Sequence, residues 1–216
     1  MTTIVYVSPQ TPKSGITPYR SLVRTVAPAV EPVSVSDAKA HLRVDTDADD
    51  SYITTLISAA RQYCEERLDM TFIESTWVAK YDVFPLWELL LPRPPMINES
   101  VSITYRDESG ASQTITSGAG DFQVDAAVTP GRVYPNYHEV WPAVRGDENS
   151  VAVTYKAGYG SSASDVPAIV SHMIKLLCGH WYATREPVTV GTTAQNMPIP
   201  YTFETLISMS GWGGYR

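Results

Sequence analysis

The sequence predicts an α+β fold in which a helical frame is interrupted by an inserted antiparallel β unit. Three observations predict it. Apolar residues recur every three or four positions near 49–68 and again near 166–185, the spacing of one buried helix face. Between them, over 71–160, the period drops to two and turn residues cut the chain into short strands. Residues 1–33 show no sustained period, and both ends, 1–33 and 191–216, read as extended arms.

The arm 1–33 carries prolines at 9, 12, 18, 28 and 32, which forbid a helix of any length. It reads either as a disordered tail or as a strap laid on a neighbouring subunit. The first helix is expected over 34–44, opened by Ser34 with Asp37 three residues on, the spacing of a capping box. The second runs over 49–68, with Ile53, Leu56, Ile57, Ala60, Cys64 and Leu68 on one stripe. Arg61, Gln62, Glu65 and Glu66 are assigned to its opposite, solvated side. The acids before it, Asp45, Asp47 and Asp49, imitate a calcium loop. The pattern fails, because the sixth position is Asp50 rather than Gly and the twelfth is Leu56 rather than Glu. Acids here complement the helix dipole, and Thr46 or Asp47 is the expected cap.

The β unit, 71–160, is read as six or seven short strands, with Glu108-Ser109-Gly110, Pro130-Gly131 and Gly146-Asp147 as turns. The third helix, 166–185, starts near Asp165 and Pro167. It buries a broad face made of Ile169, Val170, Met173, Ile174, Leu177, Cys178 and Trp181. The expected core contact joins Ile57 and Cys64 of the second helix to Ile174, Cys178 and Trp181 of the third. The domain plan is therefore a helical core over 34–70 and 161–190, a β insertion over 71–160, and terminal segments 1–33 and 191–216.

Chemistry finds little purchase. Cys178 sits near a helix C-terminus, where the dipole disfavours a thiolate. His172 and His180 are eight residues apart, too far to chelate one metal as an i, i+4 pair would. "GYGSSASD" lacks the lysine of a phosphate loop. No enzyme, metal or cofactor is expected; a small hydrolase using His172 or His180 is the alternative from another class. A net charge of −7 and a pI near 5.0 argue against gripping nucleic acid by neutralising phosphates. No apolar run is long enough for a membrane span, and the N-terminus lacks a secretory pattern. Two cysteines, Cys64 and Cys178, fit reduced core positions in a chain folded in the cytoplasm.

Several stretches recur in one order in a known family. "EPVSVSDAKAHLRVDTDADD", "LPRPP" at 91–95, "VTYKAGYG" at 153–160, "DVPAIV" at 165–170 and "GHWYATRE" at 179–186 resemble the head–tail connector (adaptor) proteins of long-tailed bacteriophages and gene transfer agents. The resemblance covers roughly 22–216. It implies a structural virion protein of the neck, folded in the host cytoplasm, that forms a homo-oligomeric ring of twelve subunits. It implies the portal protein on one side and a stopper or tail-terminator protein on the other, with double-stranded DNA passing through the lumen. Another neck component, a stopper or tail-completion protein, is the alternative within that setting. The resemblance also implies that the C-terminal segment docks into the portal. Its candidates are Tyr201, then Phe203, Leu206, Ile207 and Met209 on one helix-like face, followed by Trp212, Tyr215 and Arg216, residue types favoured at interface hot spots.

Overall fold

A computed structural model describes residues 5–6, 19–97, 101–184 and 201–210. The chain divides into two compact units, one spanning 1–29 and 73–161 and the other 30–72 and 162–216.

In the helical unit, α1 (Val35–Leu42) and α2 (Asp50–Leu68) are followed, after the β unit, by α3 (Ala168–Ala183) and α4 (Tyr201–Ser210). The N-cap of α1 is Ser34, whose hydroxyl accepts the Asp37 N–H at 3.0 Å. Both α1 and α2 end on a residue in the left-handed region, Arg43 and Asp69, whose N–H groups close on carbonyls of the preceding turn. Two expected caps differ. The N-cap of α2 is Asp49, with no side-chain cap bond. Asp165 ends a short 3-10 turn boxed by Ser162, and α3 starts from Pro167, whose carbonyl accepts from Val170 at 2.9 Å.

In the β unit, the strands are β1 (Val5–Tyr6), β2 (Ser21–Val26), β3 (Ser75–Tyr81), β4 (Leu89–Leu91), β5 (Ser102–Arg106), β6 (Ser112–Thr116), β7 (Phe122–Asp125), β8 (Gly131–Pro135) and β9 (Val151–Ala157). They form a six-stranded sheet ordered β1-β2-β3-β9-β5-β6 and a three-stranded sheet ordered β4-β8-β7. Every pairing is antiparallel, as in Trp77↔Tyr155 and Leu89↔Val133. Alternation along β3 and β9 buries Trp77, Ala79, Tyr81, Val151, Val153 and Tyr155. These share one apolar core with Leu89, Leu91, Phe122 and Val133 of the smaller sheet. The sequence placed 21–26 in an extended arm, but it is a strand, because Leu22 fits the core and β3 offers a partner edge.

Two of the family-like stretches have local explanations. In "LPRPP", the Pro92 carbonyl accepts the Tyr155 hydroxyl at 2.7 Å. In "VTYKAGYG", Gly158 has φ +135, and a Cβ there would lie 2.5 Å from the Glu74 backbone nitrogen. Only glycine fits that crossing.

Candidate assembly interface

The α2–α3 seam contains most of the residues the sequence assigned to it. Ile57, Cys64, Ile174 and Cys178 are buried, each at most 1 % exposed. Burial pushes the Cys64 thiol up to about 12 and the Cys178 thiol up to about 11, so both stay protonated near neutrality. Trp181 differs: it is half-buried. It lies in the last turn of α3, where its ring meets Tyr63 edge-on with centroids 6.0 Å apart.

Arg61 and Glu65, expected on the solvated side of α2, are buried. Arg61 donates to Glu65 at 2.8 Å and to Glu31 at 2.7 and 3.2 Å. The other oxygen of Glu65 accepts the Phe72 N–H at 3.1 Å. A two-oxygen carboxylate and a forked guanidinium thus tie together the residues that precede α1 and follow α2. Burial is tolerable because each charge is paired and hydrogen-bonded.

α4 lies on α3 and α2. Phe203 is fully buried, its ring 5.8 Å from that of Tyr63, and Glu204 pairs with Arg67 at 3.4 Å. Leu206 and Ile207 are half-buried. The side chains of Tyr201 and Met209, and all of Trp212, Tyr215 and Arg216, lie outside the described residues.

Asp47, Asp49 and Asp50 serve internal contacts. Asp47 and Asp50 flank Lys39 at 2.5 and 2.8 Å. These bonds, the one from Asp47 first, hold the ammonium above its ordinary value. Asp49 accepts the Tyr182 hydroxyl at 2.6 Å. His172 is exposed on α3 and His180 is half-buried. Among the described residues, no group of three or more His, Cys, Asp or Glu side chains is placed to hold a metal ion. No described helix is long and apolar enough to cross a membrane.

The sequence reading passed over the loops of the β unit. The segments β3–β4 and β8–β9 hold large apolar side chains in solvent, among them Leu86, Trp87, Tyr137 and Val140. "DVFPLWE" and "YPNYHEVWP" have no period, so nothing there could be assigned to a face; their density of aromatic residues between prolines is the available signal.

Residues 32–126 match the phage gp6-like head-tail connector protein family. The matched stretch takes in α1, α2 and the strands β3 to β7. The fold is similar to that of a chain in the neck of an empty gene transfer agent particle computed with C6 symmetry. The TM-score is 0.70 at 19 % identity, covering 87 % of this chain and 93 % of that one. A chain from the virion of a native gene transfer agent particle gives 0.67 at the same identity and coverage. A chain from the neck of a native particle computed with C12 symmetry gives 0.58 at 19 % identity, covering 86 % and 93 %. At such identity the likeness is one of fold. Among curated proteins nothing matches the chain.

Proposed function

We propose that this chain is the ring-forming connector (adaptor) subunit of a virion neck, seated between the portal and a stopper or tail-terminator protein. The observation that carries the reading is the match of 32–126 to the head–tail connector family. In this reading twelve copies close a ring, and double-stranded DNA passes through the lumen without sequence-specific contact. The charge of −7 per chain suits that passage, since an acidic wall gives phosphates nothing to hold.

The role is structural rather than catalytic. Supporting this, both thiols are buried and held protonated, and His172 stands exposed on α3. Asp47 and Asp50 are engaged by Lys39, and Asp49 by the Tyr182 hydroxyl.

The C-terminal segment is the proposed portal contact. Phe203 roots α4 within the chain, which leaves Leu206, Ile207, Met209, Trp212, Tyr215 and Arg216, with Tyr201 at the helix start, as the docking set. A chain truncated after Ser210 keeps Phe203 on Tyr63 and removes Trp212, Tyr215 and Arg216. It is expected to fold and to lose co-sedimentation with portal rings. Undiminished binding would move the docking site elsewhere, with residues 1–33 next in line. Failure of the full chain to bind any portal would remove the connector reading itself.

A further inference from the structure

The chain holds two cysteines, and both end in one seam. Cys64 lies on the buried stripe of α2 and Cys178 on that of α3, the two helices pack on each other, and each side chain is 0 % exposed. Residues one turn away or nearer fix the seam around them. Tyr63 meets Trp181 edge-on with ring centroids 6.0 Å apart, and Ala60, also fully buried, stands one turn before Cys64. The Arg61 clamp borders both thiols. After burial, the charge that most raises Cys64 is the Cys178 sulfur, followed by Glu65. Cys178 is raised by burial first and also by Glu31. Arg61 bridges those two carboxylates. Helices packed over small residues approach to about 8 Å between axes, with Cα atoms about 2.3 Å off each axis. Facing positions then come within the roughly 4.4–6.8 Å that a disulfide spans between Cα atoms.

We propose that Cys64 and Cys178 are a disulfide-forming pair that locks α2 to α3 once the particle has left the reducing interior of the cell. The timing rests on the connector reading, which puts the chain in a released virion, whereas the pairing rests on the seam alone. The β unit lies between α2 and α3 in sequence, so the bond closes a loop that contains all of 73–161. A cross-link over so long a loop restricts the unfolded chain strongly and stabilises the folded one.

The oxidant is a small-molecule disulfide such as oxidised glutathione. Cys178, raised to about 11 against about 12 for Cys64, gives up its proton more readily. Its thiolate attacks one sulfur of the oxidant, which forms a mixed disulfide and releases one glutathione thiolate to take up a proton. The Cys64 thiolate then attacks the Cys178 sulfur and expels the second glutathione, which is protonated in turn. Two protein thiols are oxidised, and one glutathione disulfide is reduced to two thiols. The first step is slow, because both thiols are protonated and shielded until the seam opens. The second is fast, because its partner is already in place.

Intact-mass spectrometry on the reduced full chain, incubated at pH 8 with oxidised glutathione, tests this. A second incubation in about 1 M urea loosens the seam without unfolding the chain. The expected product is lighter than the reduced chain by about 2 Da, the mass of two hydrogens, and its digest joins the Cys64 and Cys178 peptides. It is expected to keep the circular dichroism of the reduced chain and to melt roughly 10 °C higher, a rise that a reductant removes. Cys64→Ala and Cys178→Ala are each compared with themselves before and after oxidation, and neither should gain that rise. A wild type that stays reduced in both incubations overturns the pairing, as does one that takes up two glutathiones without joining its own thiols. A joined product that melts lower than the reduced chain also overturns it, since the helices would have had to distort. Free thiols in particles purified without reductant overturn the timing. The connector reading fails on portal binding, which none of these measurements touches, so the two fail separately.

Discussion

The helical unit and the β unit place their charged and apolar groups in opposite ways. The helical unit takes charge inside: Arg61 and Glu65 are buried in a clamp with Glu31, and the faces of α2, α3 and α4 close on one another through Cys64, Cys178 and Phe203. The β unit keeps its core apolar and leaves Leu86, Trp87, Tyr137 and Val140 outside. The contrast teaches that the strongest periodic signal in the chain marks surface already satisfied internally. The large apolar side chains left in solvent lie where the period fails.

Breaking the clamp should cost most. Arg61→Ala leaves Glu65 and Glu31 without their cation, and loss of one member of a buried pair costs about 3–5 kcal/mol. Urea unfolding followed at 222 nm measures it; a loss below about 1 kcal/mol would mean the clamp is solvated. Phe203→Ala comes next, at about 3 kcal/mol for a fully buried phenylalanine. Its counterpart on the β loops, Trp87→Ala, should stay within about 0.5 kcal/mol despite its larger ring. Equal losses for these two would erase the contrast. Tyr155→Phe, which removes the hydroxyl bonded to the Pro92 carbonyl, should cost about 1 kcal/mol.

The last contrast is in pH, and near neutrality it is nil. In the helical unit, burial raises Cys64 to about 12 and Cys178 to about 11. A raised acid contributes stability below its unfolded value near 9, and that contribution is lost as pH rises through the folded values. In the β unit, Asp107 is depressed to about 2 by the Ser109 hydroxyl first and then by Gln113. That contribution is present above 3.8 and is lost as pH falls through about 2. Burial raises the Tyr81 hydroxyl of the β unit in the same direction, so alkaline pH should loosen both units, and thiol alkylation at pH 8 should be slow until the helices open.

What could be read in advance follows from this. Stripes of α2 and α3 and the alternation of β3 and β9 were legible, because each buries one face against its own chain. β2 was hidden, since only Leu22 of its six residues is fully buried and prolines surround it. β6, with the sequence SQTIT, has no apolar alternation to show. The clamp was half visible: Arg61 and Glu65 have helical i, i+4 spacing, but Glu31 lies thirty residues away and nothing local points to it. Spacing assigned both to solvent, whereas pairing allows them inside. The C-terminal face was visible as a helix, but its spacing could not show that Phe203 turns inward onto Tyr63.

The central claim is that this chain is a ring subunit of the neck. Electron cryomicroscopy of the particle that carries it, with and without the chain, tests this most directly. The connector account predicts a rotationally symmetric ring beneath the portal, into which both units of this fold can be placed. It also predicts that particles lacking the chain have filled or fillable heads without joined tails. Density for the chain anywhere but the neck, or tailed particles assembled normally in its absence, would contradict it.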